Sequence, residues 1–512
     1  MESKASPPAR ARGPRRTAAV WAILIAILLV GAYFRTLSLT SWDDGTGQHP
    51  DERFFTDVAS NVRLPASLGE LYDSARSPLN PRSYVQYPMF VYGPFPIYAT
   101  RLAAAALTPN GALPEQVPSI SGPPRMGADP SAPGEVRTDF GPLVPNPERA
   151  LPKSAALIAL LNPAGVNLTS YGEIVRVGRA LAMLFDLGSI LMVFLIARRL
   201  FDARVGLLSA ALSALAVMQI QQSHFFVDPI FSTFFALLAL YWAIRAAQGG
   251  GAWGYAALGL SIGAAMANRI TLATLGLAAI IAAILAALHY VRSSPQGIQP
   301  STFNLQPFFD RLLTRELPRL MLAGALTLLA FRAMSPDSFS GSLPSSPEMV
   351  GPRIIDAGLL QGKGFLDFRP DPRFIANLGT VRSLVSGEYD FPPGQQWVGR
   401  PEYSFPWANM VIWGMGPALG IAAWAGWLIF AIANLRLRIA DWRLRMSGNL
   451  QSAISNLQPS AAWVLFVWVG FYFGWQGAQF AITMRYLLPI YGALIIFAAW
   501  LLVELWDIGG WG

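Results

Sequence analysis

Apolar runs of roughly twenty residues, each closed off by a few polar ones, recur along most of this 512-residue chain. A helix needs about 20 largely apolar residues to cross a bilayer. Ten stretches meet that length or approach it: residues 18–34, 178–197, 205–223, 228–244, 253–268, 270–288, 319–334, 409–434, 461–481 and 486–503. The first, AAVWAILIAILLVGAYF, follows Arg10, Arg12, Arg15 and Arg16 as the core of a signal peptide would. It is long for that role, however, and has no small-residue cleavage motif before Arg35, so it is read as a retained anchor. A further uncharged stretch, SYVQYPMFVYGPFPIYAT, carries Pro88, Pro94 and Pro96. Three prolines break the backbone hydrogen bonding that a lipid-exposed helix requires, so this segment is expected to lie at the interface or to re-enter it.

With ten crossings, the basic N-terminus, Arg198, Arg199, Arg204, Arg245, Arg292, Arg311, Arg315, Arg436, Arg438, Arg443 and Arg445 all fall on one side. The tendency of Lys and Arg to remain in the cytoplasm makes that side the inner one and places both termini there. The expected architecture is all-α, a polytopic membrane bundle of about ten transmembrane helices with two large extracytoplasmic loops, 35–177 and 335–408. The chain then divides into a basic cytoplasmic tail (1–16), an N-terminal catalytic membrane module (17–334), the loop 335–408 and the C-terminal helices (409–512). A Pro-rich stretch at 108–150 gives no reason to expect regular structure.

Composition narrows the function. Only 13% of residues are charged and 53% are hydrophobic, with mean hydropathy +0.39. Soluble domains carry about 25% charged residues, which argues against a water-soluble enzyme. The net charge of +8 is spread through short polar gaps, a topology signal and not a nucleic-acid surface. Without cysteine there is no disulfide, thiolate nucleophile or Cys-ligated zinc, and His49, His224 and His289 are too scattered to propose a metal cluster.

Unusual polar residues gather on the outer face. After the first span comes SWDDGTGQHPDERFFTDVA, in which Asp51 and Glu52 stand at the start of an amphipathic, helix-compatible segment. A carboxylate near a helix N-terminus is stabilised in its ionised form and is able to serve as a general base. Short outer turns add His224 and Asp228 in SHFFVD, Arg269 in ANR and Arg485 in ITMRYLLPIY. Each arginine alone reads equally well as an interfacial anchor. Two of them in short outer loops, against the charge bias, point to phosphate. Asp186, inside the second span, is read chiefly as a structural partner for a polar group on a neighbouring helix. Trp397 and Arg400, in the outer run GQQWVGRPEYSFPW, are read as loop packing ahead of acceptor contacts.

HPDERFF after span 1, GRALAMLFDLGSILMVFLIARRLF in span 2, QQSHFFVDPIFSTFFALLAL across spans 3 and 4, and MRYLLPIY near the C-terminus together resemble the C-type membrane glycosyltransferases. These take sugars from polyprenyl-phosphate carriers. The chain looks most like protein O-mannosyltransferases and lipid A aminoarabinose transferases. The resemblance implies an active site at the outer membrane surface, with Asp51 as catalytic base and Glu52 as its motif neighbour. Arg269 and Arg485 then face the carrier phosphate, and His49, His224 and Asp228 join them as substrate-binding candidates. It implies inverting transfer to an extracytoplasmic lipid, glycan or protein acceptor. Neither a cofactor nor a metal is called for, although Asp51, Glu52 and Asp228 have the oxygen ligands that Mg²⁺ or Mn²⁺ favour. A transporter or flippase of lipid-linked sugar is the alternative. It calls for internal repeats and interrupted helices, and no repeat is discernible in the sequence.

Overall fold

The computed structural model describes residues 14–120, 140–293, 306–340, 364–389, 392–446 and 461–509, apart from positions 44, 46, 75, 85 and 88. Helices stand at all ten expected places: α1 (Pro14–Thr36), α4 (Tyr171–Leu200), the pair α5 (Ala203–Ala214) and α6 (Val217–Ser223), α7 (Asp228–Ala247), α8 (Gly251–Asn268), α9 (Gly276–Ser293), α10 (Leu317–Met334), α12 (Pro417–Met446), α13 (Trp463–Gln476) and α14 (Leu488–Ile508). Outside the bundle lie α2 (Pro50–Asn61), α3 (Phe95–Leu107) and α11 (Pro372–Ser386). Among the described residues seven helices are long and apolar enough to cross a membrane, eight if the bent pair α5–α6 is one span. The other two expected spans are the 18-residue α8 and the 14-residue α13. The protein is a polytopic helical membrane protein.

The third expected span is not continuous. Between α5 and α6 the axis turns by 56°, and Ala216 takes extended backbone angles. Non-helical backbone at membrane depth is tolerated only where its polar groups find partners inside the protein. Arg35, at the end of α1, supplies one. Its Nη1 donates to Ala214 O at 2.8 Å and to Gly31 O at 3.1 Å, while its Nε donates to Asp186 Oδ2 at 2.5 Å. Asp186 thus has the structural pairing expected of it, and both side chains are fully buried.

The proline-bearing stretch does not cross. Its helix, α3, has 13 residues, roughly 20 Å at 1.5 Å per residue against a hydrocarbon core of about 30 Å. Pro94 is the N-cap and Pro96 lies in the first turn, where the missing N–H leaves no intrahelical bond unmade, so the helix begins there.

The Pro-rich region departs from expectation. Gln116–Ile120 (β1) and Phe140–Pro145 (β2) pair antiparallel, with Val117 opposite Val144. Two strands leave both outer edges free, so Pro118, Pro142 and Pro145 are tolerated. Arg63 Nη1 ties the ribbon down by donating to Pro118 O at 2.6 Å. Residues 121–139 of that stretch lie outside the described residues, as do the linker SGNLQSAISNLQPS and much of the loop 335–408.

Burial orders the bundle. The last span is 78% buried in its most apolar window and forms the centre, whereas the first is 11% buried and lies at the rim. Helix α8 packs closely on α10 because Gly259 and Gly263 expose bare backbone on one face. A Cβ on Gly259 would stand 2.2 Å from Ala323 O, and one on Gly263 would stand 2.4 Å from Thr327 O. This is the small-residue spacing by which membrane helices approach each other. It sets the end of α8, which carries Asn268 and Arg269.

Candidate active site

Helix α2 starts where the sequence supplies a stop for the preceding loop and charge for the helix end. His49 is the N-cap, its Nδ1 lying 3.4 Å from the Glu52 N–H, Pro50 opens the first turn, and Asp51 and Glu52 sit against the positive end of the helix dipole. Adjacent residues on a helix diverge by about 100°, and the two carboxylates go different ways.

Asp51 turns outward. Its Oδ2 pairs with Arg485 Nη2 at 2.7 Å, each side chain being 23% exposed. Arg485 Nη1 also reaches His49 Nε2 at 3.2 Å. A neutral imidazole carries one lone pair, so this contact and the α2 cap are alternatives set by which nitrogen holds the proton. Partial burial, with Arg485 beside the ring, holds the His49 pKa below the ordinary 6.5, against the weaker pull of Asp51 and Glu52.

Glu52 turns inward, with 1% of its side chain exposed. Arg179 of α4 grips it with two bonds, Nε to Oε1 at 2.8 Å and Nη2 to Oε2 at 2.7 Å, and the Phe226 N–H donates to Oε1 at 2.8 Å. The same guanidinium bonds Asp43, at 3.2 and 2.8 Å. That hydrogen bonding is the largest influence holding Asp43 below the usual carboxylate range.

A second carboxylate–guanidinium pair faces the first. Asp228 opens α7, and its Oδ2 accepts from Arg269 Nε at 3.0 Å. Tyr486 stands between the arginines: Arg269 Cζ lies 4.4 Å and Arg485 Cζ 5.6 Å from the centre of its ring. Arg269 is brought in by α8, and Gly93 allows the long loop after α1 to close against the same helix end. Its N–H donates to Asn268 O at 3.1 Å, and a Cβ there would stand 2.2 Å from that oxygen.

These groups line one cavity of about 720 Å³. His49, Asp51, Asp228, Arg269 and Arg485 are all in its wall. Glu52 and His224 are not. The ring nitrogens of His224 face Ile220 O at 2.8 Å and Leu37 O at 3.1 Å, which fastens the α6 turn to the end of α1. Helix α11 of the loop 335–408 covers the cavity with Phe374, Leu378, Val381 and Val385. Trp397 also lines it, its ring 6.3 Å from that of Phe480, whereas Arg400 turns back onto Gln396 O and Phe405. Sequence reasoning missed Tyr486, although it follows Arg485 in the MRYLLPIY motif, and Arg179, a charge inside an apolar span. Among the described residues no group of three His, Cys, Asp or Glu side chains is arranged to hold a metal ion. Asp51, Glu52 and Asp228 each spend their charge on an arginine.

Fold and site define a polytopic membrane protein with paired charges in a cavity at one end of its bundle. Residues 156–296, from just before α4 to the end of α9, match the family of dolichyl-phosphate-mannose-protein mannosyltransferases. Over that segment the match agrees with the resemblance drawn from the sequence, to C-type membrane glycosyltransferases. No curated protein matches the chain. Solved structures similar to it include the Archaeoglobus fulgidus oligosaccharyltransferase in the apo form, at 15% identity over 97% of this chain and 52% of that one, with TM-score 0.47. Another is the oligosaccharyltransferase AglB of the same organism in complex with an inhibitory peptide and a dolichol-phosphate (16%, 97% and 51%, TM-score 0.45). A third is ArnT from Cupriavidus metallidurans bound to undecaprenyl phosphate (12%, 96% and 61%, TM-score 0.35). The chain spans about half the length of the two oligosaccharyltransferases.

Proposed function

We propose that this protein is a membrane glycosyltransferase that moves a sugar from a polyprenyl-phosphate carrier to an acceptor hydroxyl on the extracytoplasmic face of the plasma membrane. The observation that carries this reading is the juxtaposition of two carboxylate–arginine pairs, Asp51–Arg485 and Asp228–Arg269, on either side of Tyr486 in one cavity. The match of residues 156–296 to a family described by a polyprenyl-phosphate-sugar donor supports it.

In this scheme the carrier keeps its hydrocarbon tail in the bilayer and presents its phosphate to Arg269 and Arg485. A phosphate competes with Asp51 for Arg485, and the exchange leaves the carboxylate oxygen free to accept a hydrogen bond from the acceptor hydroxyl. Asp51 takes the proton as the acceptor oxygen bonds to the anomeric carbon. The bond from that carbon to the phosphate oxygen breaks, and the carrier leaves as a phosphate monoester held by the two guanidinium groups. One displacement inverts the anomeric centre. Positioned bases contribute about 10²- to 10⁴-fold to such steps, and fixed cations at a developing anion contribute further. Glu52 acts through Arg179 and Phe226, setting the angle of the α2 end that carries Asp51. No step is routed through a metal.

The transporter alternative gains one observation, the broken α5–α6 span. One assay separates the two. Purified protein in liposomes is offered a panel of polyprenyl-phosphate sugars and scored for free polyprenyl phosphate, product and lipid translocation. Product from the wild type and at least a hundredfold less from a folded Asp51→Asn variant is the expected result. Equal release by both variants removes Asp51 as base, and translocation without product removes the enzyme reading.

A further inference from the structure

At the end of the bundle opposite the cavity, several arginines have acidic partners. Arg204 faces Asp202 and Asp507, and Arg311 and Arg319 share Glu316. Arg199 and Arg245 differ. Among the described residues neither meets a carboxylate or makes a hydrogen bond, yet they are near enough to feel each other's charge. They belong to α4 and α7, which pack together. From Arg179 to Arg199 is about 30 Å along α4, and from Asp228 to Arg245 about 26 Å along α7, at 1.5 Å per residue. A hydrocarbon core is about 30 Å thick, so the pair stands at headgroup level, one membrane thickness from the charges of the cavity. Trp242, its ring centre 5.3 Å from Arg245 Cζ, and Trp253, 85% exposed near the start of α8, are aromatic residues of the kind that collects at that level. Tyr241 joins the group. It precedes Arg245 by four residues, so the two share a face of α7, and its phenol acts on Arg199. The Tyr241 hydroxyl is also without a partner, and of the three heads only the Nε of Arg245 is closed off, so the hydroxyl and the Nη groups stand open.

We infer that Arg199, Tyr241 and Arg245 form a binding site for the phosphate of an anionic phospholipid in the leaflet opposite the cavity. Guanidinium groups hold phosphate through charge-assisted N–H donors, and a phenol adds a neutral O–H. An arginine that merely snorkels spreads its head into water, free of its neighbours. Here the Nε of Arg245 is enclosed and a second guanidinium stands nearby, so the two repel until an anion comes between them. A lipid is the natural source of that anion. The group sits at headgroup level on two membrane-spanning helices, where the acyl chains of its owner already lie in the bilayer. This lipid is separate from the sugar carrier, whose phosphate is assigned to Arg269 and Arg485 at the other end, and the site stands whether or not that assignment does.

The test places the full-length protein in nanodiscs of phosphatidylcholine, alone or mixed with phosphatidylglycerol, and reads thermal unfolding. Native mass spectrometry of the same proteins, titrated with phosphatidylglycerol in detergent, reads the lipid retained. The variants are Arg199→Gln, Arg245→Gln and, as a paired arginine at the same end, Arg204→Gln. Phosphatidylglycerol should raise the unfolding midpoint of the wild type. Arg199→Gln and Arg245→Gln should each remove most of that rise and hold the lipid about fivefold less tightly, the worth of one charge at an anionic surface. Arg204→Gln should keep both responses. In phosphatidylcholine alone the first two variants should be no less stable than the wild type, because a repelling pair has lost one charge. An equal response of all four proteins to phosphatidylglycerol would mean general surface attraction and overturn the site. A loss of stability by the two variants already in neutral lipid would mark a structural role and overturn it as well. Inorganic phosphate added to the neutral nanodiscs should have no effect, and stabilisation by it that Arg245→Gln abolishes would refute a lipid as the occupant.

Discussion

Asp51 and Glu52 are neighbours in the chain with opposite surroundings: one meets solvent and a half-open arginine, the other a closed ion-pair network. Removing the charge of Glu52 leaves Arg179 buried with less than its full complement of partners. Breaking such a pair is worth about 3 kcal/mol, so Glu52→Gln should lower the thermal unfolding midpoint clearly, while Asp51→Asn leaves it near that of wild type. Fluorescence-detected unfolding in detergent reads both. His49 gives the site its acid limit. Its folded pKa lies below 6.5, so as pH falls the unfolded chain takes up the proton first. The His49 contribution to stability is complete above pH 6.5 and is lost as pH drops through the lower folded value. Protonation also removes the lone pair that faces Arg485. Transfer rates measured from about pH 5 to 8 should fall on the acid side, and His49→Gln, which retains an acceptor, should flatten that limb. At this scale the sequence exposed the ionisable groups, because charge in or beside an apolar run stands out. It concealed how they pair. That Glu52 is captured by Arg179, 127 residues away, depends on how α4 crosses α2.

Helices were legible wherever apolar length alone defines them: the described residues are helical at each of the ten expected places, and seven or eight of these helices are long and apolar enough to cross a membrane. What length does not encode is continuity. Nothing between Ala214 and Val217 is a proline or glycine, and the break there exists because a residue from α1 arrives to satisfy the open carbonyl. The ribbon β1–β2 was likewise hidden, since its prolines mask two short β-compatible runs. The GLSIG pattern of α8 carries more than its composition suggests. Gly259 and Gly263 set the separation from α10, and the atoms they meet are backbone, which has nowhere to move. Gly259→Leu is therefore expected to destabilise by about 2 kcal/mol or more. It should also weaken donor binding, because α8 ends in Asn268 and Arg269. Thermal unfolding and donor titration on the same preparation check both effects.

Across the whole molecule, the two long loops are separated by more than 150 residues of largely helical chain and close over one cavity. Arg82 is the principal fastener. It pairs with Asp337 and donates to Phe90 O at 2.9 Å, and its guanidinium lies 5.3 Å from the Phe374 ring of α11. Asp371 and Arg373 reinforce the seam by reaching Ser74 and Arg82 O. Arg82→Met should loosen α11 over the cavity, read as faster protease cleavage within 364–389 on sealed, right-side-out vesicles. Unchanged cleavage would mean that the apolar contacts of α11 suffice.

The bond between Arg35 and Asp186 joins residues 151 positions apart, and this has a bearing on how the protein is made. The first helix leaves the ribosome with a guanidinium near its C-terminal end, and the carboxylate that will neutralise it has not yet been synthesised. Until α4 enters the membrane, α1 has little to hold it laterally, since it buries so little of its own surface. Capture by Asp186 then turns a loosely inserted anchor into part of the bundle and holds Arg35 ready for the Ala214 carbonyl that the break between α5 and α6 leaves open. An Asp186→Leu chain would thus fail as an assembly defect, with α1 inserted yet detached.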